Sequence, residues 1–322
     1  MPRATCRPVL VLAVVAALGA VVASLSSCLS WSNLWRKSRA RLVASDVVYV
    51  DGSSDDKHRL DVWAPDGARG APVVIFVHGG YWRSGDRHYF TPVTGLYGNV
   101  GVALGDMDVV TVVPSYRLFP TVATVEPMLD DLAAAIRWTH DHVADHGGDP
   151  DRIVLAGHSA GGHLLLQLVT APEALASRGV ERRWVKGVAP VSGIFDVVRA
   201  TRQAEDELRR DLWQPLFGHD PEGWSPLRRL GAEAARTTPM LFLVGSRDYP
   251  GCLADFASAR AALRDVEGSH AFFRTVPGRD HAELVLQAGT KDDEVMPAVA
   301  AFARAVTASS SSSAMIVPEP LP

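Results

Sequence analysis

Ile153-Val154-Leu155-Ala156-Gly157-His158-Ser159-Ala160-Gly161-Gly162-His163-Leu164-Leu165-Leu166 decides how the rest of the chain is read. The first four residues are a short apolar run of the kind that fills a buried parallel strand. The last three begin a buried helix. Between them stands G-x-S-x-G, and a strand that turns sharply into a helix around that pattern is a nucleophile elbow. Gly157 and Gly161 lie two residues to either side of Ser159. Side chains at those positions would collide across the turn, and glycine tolerates the dihedrals it needs. The turn lifts the Ser159 hydroxyl above the sheet edge. It also aims the Ala160 N–H at the place where a negative oxygen would form.

Outward from the elbow the chain alternates strands and helices. Upstream, 47–50 and 59–63 read as strands separated by a polar turn at 51–57. Val73-Val74-Ile75-Phe76-Val77 is a buried strand that stops at His78-Gly79-Gly80-Tyr81-Trp82. Residues 83–105 show no clean periodicity. The stretch 108–113 is the next strand. Leu129, Leu132, Ala133, Ile136 and Val143 recur at helical spacing. His140, His142 and His146 on that helix look solvated. Downstream, 185–191, 240–244 and 272–276 read as strands, and 253–265 and 294–306 as helices. The segment 199–236 interrupts the alternation with Trp213, Phe217 and Trp224 among prolines and glycines. This order implies an α/β architecture: a mostly parallel sheet, helices on both faces and a short cap-like insertion. One domain is expected over 47–308, with a disordered tail at 309–322.

In such sheets ligands bind beyond the carboxyl ends of the strands. Ser159, the His78-Gly79-Gly80 stretch, Asp248 and His281 all follow strands directly. A serine hydroxyl needs a base to take its proton and an acid to hold that base in one tautomer. His281 fits the base and Asp248 the acid. Asp280 is the competitor for the acid, but a residue adjacent to the histidine is poorly placed to receive its ring N–H. His158, inside the elbow, suits shaping the turn better than reacting. Gly79 and Gly80 are expected to supply backbone N–H groups that, with Ala160, hold an oxyanion. Tyr81, Trp82 and Trp213 are candidate substrate-binding residues. For Trp82 the other reading is that it packs its loop against the sheet. For Trp213, Phe217 and Trp224 it is that they hold the insertion down rather than form a lid.

Composition sets bounds on class. The chain has 322 residues, 47% of them apolar, enough for one large core or two small ones. Net charge is −4 with no basic block, which argues against a nucleic-acid partner. Cys6, Cys28 and Cys252 have no spacing resembling a metal site, and the serine chemistry calls for neither metal nor organic cofactor. Arg3 and Arg7 precede an apolar run at 9–23, shorter than the roughly 20 residues of a spanning helix. It ends in Leu25-Ser26-Ser27-Cys28, which resembles a bacterial lipobox. Residues 1–28 are therefore expected to be a signal peptide with Cys28 as lipidated first residue, making an exported, membrane-anchored lipoprotein. Plain secretion and an uncleaved signal anchor are the alternatives. Residues 29–46, with Trp31, Trp35, Arg36 and Lys37, read as a tether or an amphipathic first helix.

HGGYW at His78, YRLFP at Tyr116, GGDPDRI at Gly147 and GHSAGGHL at Gly157 together resemble the α/β-hydrolase carboxylesterases. The closest branches are the prenylcysteine-methylesterase-like and kynurenine-formamidase-like groups and bacterial esterases of the hormone-sensitive-lipase type. The resemblance runs from about residue 59 to 306. The chain order Ser159, Asp248, His281 is the order of that fold family. The resemblance implies catalytic roles for those three and oxyanion roles for Gly79 and Gly80. The variant with a third glycine is absent, since Tyr81 follows. The function it implies is hydrolysis of small-molecule esters of small to medium acyl chain through an acyl-enzyme. An amidase or formamidase using the same triad, and a catalytically silent binding module on the same fold, are the alternatives.

Overall fold

A computed structural model describes residues 38–89, 95–171 and 173–308. The expected signal peptide with Cys28, residues 29–37 of the tether, and the tail at 309–322 lie outside the described residues. Among the described residues no helix is long and apolar enough to cross a membrane.

Eight strands form one sheet in the order β1-β2-β4-β3-β5-β6-β7-β8. They are β1 (Ala40–Val48), β2 (Arg59–Pro65), β3 (Ala71–Val77), β4 (Val110–Pro114), β5 (Gly148–His158), β6 (Val185–Val191), β7 (Met240–Gly245) and β8 (Ala271–Val276). β2 is antiparallel to both β1 and β4, and every pairing from β4 to β8 is parallel. This is the mostly parallel sheet expected of an α/β-hydrolase fold.

The apolar strands are unbroken because both faces of the sheet are covered. Successive side chains point to opposite faces, so Val73, Ile75 and Val77 enter one core while Val74 and Phe76 enter the other. Ile153 and Leu155 divide from Val154 and Ala156 in the same way. The first core is closed by α2 (Glu126–His142), α3 (Ala160–Thr170) and α8 (Pro250–Leu263). The second is closed by α1 (Gly98–Gly105), α9 (Glu283–Leu286) and α10 (Val295–Val306).

Two expectations need correction. The domain starts earlier than residue 47, because residues 40–46 are part of β1 rather than a tether. Two register irregularities, between Leu42 and Ala44 and between Ala44 and Val47, scramble the in-out alternation that marks a strand. α1 lies within the stretch that showed no periodicity. It is built on glycines because it lies hard against the sheet. A Cβ on Gly101 would stand 2.3 Å from Trp63, and one on Gly105 2.5 Å from Ala40. A contact face of glycines carries no hydrophobic signal.

The insertion follows β6. It comprises α4 (Val197–Gln203), α5 (Asp206–Leu208), a π-helical turn (Arg209–Trp213), α6 (Gln214–Phe217), a 3-10 turn (Pro226–Arg229) and α7 (Ala232–Thr237). Its Leu212, Trp213, Leu216 and Phe217 are buried in the first core. The segment is thus anchored into the domain.

Candidate active site

Ser159 occupies the turn between β5 and α3 with φ 54° and ψ −118°. A non-glycine residue at positive φ costs about 1–3 kcal/mol and persists only where its surroundings impose it. Here the Ser159 N–H donates to the Val191 carbonyl at 2.9 Å, and its carbonyl accepts from the His163 N–H at 3.1 Å. The flanking glycines permit the turn. A Cβ on Gly161 would lie 2.3 Å from the Val77 carbonyl oxygen, and one on Gly157 2.8 Å from the Gly161 carbonyl carbon.

Asp248 follows β7, and His281 lies between β8 and α9. The structure brings them together: His281 Nδ1 donates to Asp248 Oδ1 at 2.9 Å. The Asp248 carboxylate also accepts from the Tyr249 N–H at 2.7 Å, the Gly245 N–H at 3.3 Å and the Ser192 hydroxyl at 2.6 Å. Its side chain is wholly buried. Burial pushes the Asp248 carboxyl pKa up, but the hydrogen bond and charge of His281, with those of Ser192 and Tyr249, bring it below the ordinary value. Asp280 faces elsewhere. Its Oδ1 accepts from the N–H groups of Ala282 and Glu283 at 3.1 and 3.0 Å.

His158 holds the His281 loop. Its Nε2–H donates to the His281 carbonyl at 3.0 Å, and the two rings are 4.6 Å apart. The Tyr249 ring lies at the same distance from His281. Burial lowers the His158 pKa to about 3, so the ring is neutral and serves as a fixed donor.

The loop after β3 departs from expectation at one position. The Gly79 N–H donates to Tyr97 Oη at 3.0 Å and is not available to an oxyanion. Gly79 matters for its size: a Cβ there would stand 3.0 Å from Ser159 Cβ. Gly80 has φ +114°, and a Cβ on it would overlap the Ser84 carbonyl at 2.1 Å. The amides of Gly80 and Tyr81 have no hydrogen-bond acceptor among the described residues. His78 underpins the loop, with Nδ1–H donating to the Gly79 carbonyl at 2.8 Å and its ring stacked on Tyr116 at 4.3 Å.

A cavity of about 160 Å³ has Tyr81, Ser159, Ile194, Trp213, Cys252 and His281 in its wall. Tyr81 and Tyr249, 37% and 52% exposed, stand at its rim. Trp82 takes no part in the wall and is fully buried. Its Nε1–H donates to His163 Nδ1 at 3.2 Å, and its ring meets Trp213 and Phe217 edge-on at 5.4 and 4.9 Å. Of the two readings of Trp82, packing is the one the structure has. His163, its pKa lowered by burial to about 4, donates from Nε2 to the Trp224 carbonyl at 2.9 Å. Elbow helix, the loop after β3 and the insertion are thereby linked through one imidazole.

Among the described residues, two side-chain clusters have ligand atoms close enough for a metal: Asp248, Cys252 and His281, and Asp46, Asp61 and His88. Neither has the character of a metal site. In the first, Asp248 and His281 satisfy each other, and burial pushes the Cys252 thiol up to about 12, far from the thiolate a metal needs. In the second, Arg87 is ion-paired with both Asp46 and Asp61.

Ser192 is the residue that sequence reading missed. It follows β6 at the carboxyl edge of the sheet, where small polar residues merit inspection. Its hydroxyl contacts both Asp248 and His281.

Comparison with known proteins agrees with this picture. The family model BD-FAE matches residues 60–245. Isoprenylcysteine alpha-carbonyl methylesterase of Arabidopsis thaliana is 28% identical, covering 79% of this chain and 60% of the relative. Esterase LipQ of Mycobacterium tuberculosis is 30% identical, covering 80% and 61%. The chain spans about three-fifths or less of the length of the methylesterases it matches. Among solved structures, esterase B of Lactobacillus rhamnosis superposes with a TM-score of 0.69 at 21% identity, over 92% of this chain and 96% of that one. The propionate-bound esterase 2 of Thermogutta terrifontis gives 0.58 at 22% identity, over 81% and 91%. With the elbow, the hydrogen-bonded His281–Asp248 pair and the sheet order in place, and a family model matching more than half of its length, the chain belongs to the BD-FAE family of α/β-hydrolase carboxylesterases.

Proposed function

We propose that this protein hydrolyses carboxylic esters of small to medium acyl chain, with Ser159, His281 and Asp248 as its triad. The observation that carries the reading is the 2.9 Å His281–Asp248 hydrogen bond beside a cavity that Ser159 and His281 both line. Asp248 can only accept, so the His281 proton sits on Nδ1 and the Nε2 lone pair is left for Ser159. Ser159 Oγ attacks the ester carbonyl carbon while its proton passes to His281 Nε2. The carbonyl oxygen becomes an oxyanion, taken up by the amides of Ala160 and Gly80, with Tyr81 N–H as neighbour. Each such donor is worth about 3 kcal/mol of barrier. The C–O bond to the alcohol breaks as His281 returns the proton to the leaving oxygen. Water, deprotonated by His281, then releases the acid and restores Ser159.

The cavity supports the chain-length part. Its volume of about 160 Å³ and apolar wall suit a short acyl group rather than a long lipid. The names of the relatives support an ester as the bond cleaved. The test is kcat/KM on acetyl, butyryl, octanoyl and palmitoyl p-nitrophenyl esters, with a fluorophosphonate probe mapped by mass spectrometry. Label on Ser159 and an optimum at short chains are expected. Failure to label Ser159 would favour a binding module, and an optimum at palmitoyl would remove the small-pocket reading. Faster turnover of N-formylkynurenine than of any ester would favour the formamidase reading.

The proposal extends to location. The apolar run at 9–23 and the Leu25-Ser26-Ser27-Cys28 stretch support cleavage before Cys28 and acylation of its sulfur. Membrane-bound wild-type protein is expected to begin at Cys28 with acyl groups attached. An intact Met1 on that material would replace the lipoprotein by a signal anchor.

A further inference from the structure

We infer that Ser192 is a positioning residue of this active site, holding Asp248 and His281 in the one protonation arrangement that serves Ser159. The inference rests on the esterase reading and extends it to a fourth side chain. Ser192 Oγ lies 2.6 Å from Asp248 Oδ2 and 2.8 Å from His281 Nδ1. Asp248 Oδ1 lies 2.9 Å from the same nitrogen. Proton counting leaves one consistent arrangement. The ionised carboxylate only accepts, so the Nδ1 facing Oδ1 must carry a proton, and the single hydroxyl proton of Ser192 is left for Oδ2. The Nδ1–H of His281 is then shared between Oδ1 and the lone pairs of Ser192 Oγ. A His281 carrying its proton on Nε2 would leave Nδ1 as an acceptor facing another acceptor. The hydroxyl therefore closes a ring of three hydrogen bonds that orients the carboxylate and reinforces the tautomer that Asp248 selects.

Backbone geometry shows that this side chain is placed deliberately. Ser192 has φ 50°, a left-handed conformation that a non-glycine residue adopts at a cost. The end of β6 enforces it, with the Ser192 N–H donating to the Leu243 carbonyl at 2.7 Å. Only 2% of the residue is exposed, and it is not in the cavity wall. Its side chain meets Asp248, His281 and the buried Cys252 thiol, so it reaches the substrate only through neighbours. It also supplies one of the four hydrogen bonds that keep the buried Asp248 charged.

The test is a double-variant cycle with the full-length protein. Ser192→Ala is expected to lower kcat about ten- to a hundred-fold with KM within about two-fold, less than the roughly 10⁴-fold that a wrong tautomer costs. In an Asp248→Asn background the same change is expected to cost less than about two-fold, because the carboxylate it holds is gone. A general packing role would multiply through both backgrounds. Proton NMR gives a readout independent of turnover: the His281 Nδ1 proton is expected to resonate strongly deshielded in wild type, and to move upfield and exchange faster in Ser192→Ala. If Ser192→Ala folds poorly, Ser192→Cys keeps the side-chain shape at a somewhat larger volume and with a weaker donor, and the same two shifts are expected in smaller size. Unchanged kcat, or an unchanged Nδ1 resonance, or a loss that multiplies fully in the double variant, overturns the assignment. A wild type that hydrolyses no ester would sink the esterase reading instead, and the resonance would still decide the role of Ser192.

Discussion

Asp248 and Asp280 show how environment, rather than residue type, decides which carboxylate meets His281. Asp248 is buried, with His281, Ser192 and two amides around it. Asp280 caps the first turn of α9. Ser159→Ala and His281→Ala are each expected to remove nearly all ester hydrolysis, and the double variant should lose little more than either single one, because a triad acts as a unit. Asp248→Asn should also be severe. Asp280→Ala should leave kcat intact and lower stability by about 1 kcal/mol, the usual value of a lost cap. A kcat collapse in Asp280→Ala would reverse the two assignments. Gly161 is a second single-residue constraint. An added Cβ meets the Val77 and His78 carbonyl oxygens at 2.3 and 2.7 Å, backbone that cannot swing away. Gly161→Ala is expected to destabilise the fold by about 1–3 kcal/mol or more and to displace Ser159. Wild-type kcat with a wild-type melting temperature in that variant would contradict the close approach.

At the scale of elements, the insertion is joined to the loop after β3 as much as to the sheet. Trp213 is buried against Trp82 and Phe217 and also forms part of the cavity wall. Trp213→Ala is therefore expected to act twice. Loss of a buried aromatic should cost about 3–5 kcal/mol. The enlarged cavity should move the preferred acyl chain from short toward octanoyl, by a graded amount, since a methylene in a fitted pocket is worth about 1–3 kcal/mol. Denaturant unfolding checks the first effect and the ester series the second. An unchanged acyl profile alongside lowered stability would mean that Trp213 only packs.

At the scale of the whole molecule, three buried imidazoles tie stability to pH. Burial lowers the pKa of His78 and His163 to about 4 and that of His158 to about 3. The unfolded chain protonates these rings near pH 6.5, while the folded chain keeps them neutral well below that. Below about 6.5 the unfolded state therefore binds more protons. The stability these rings confer is complete above that pH and is lost as pH falls toward about 4. Each group gives a slope of about 1.4 kcal/mol per pH unit inside this window. Asp248, its pKa depressed, adds a loss only below about 3.9, where its unfolded carboxyl titrates. Urea midpoints taken from pH 7.5 to 4.5 are expected to be level at first and then to fall steeply below 6.5. A level profile down to pH 5 would mean that the three rings are not held neutral.

Sequence alone determined the elements whose signal is local. Continuous apolar runs mark strands covered on both faces, and G-x-S-x-G marks the elbow, because both follow from the backbone within a few residues. The order of strands and motifs along the chain then placed Ser159, Asp248 and His281 at one edge of the sheet. What only the tertiary structure decided depends on partners distant in the chain. β1 has its alternation broken by bulges, and α1 its periodicity erased by glycines that press against Trp63 and Ala40. The Gly79 amide is turned from oxyanion donor to structural donor by the Tyr97 hydroxyl, 18 residues away. Trp82 leaves the pocket because His163 takes its N–H. Ser192, an unremarked serine in the chain, meets Asp248 and His281 across 56 and 89 residues of sequence. A hydrogen bond needs a partner within about 3 Å, and which two groups come that close is settled only when the parallel strands align their carboxyl ends.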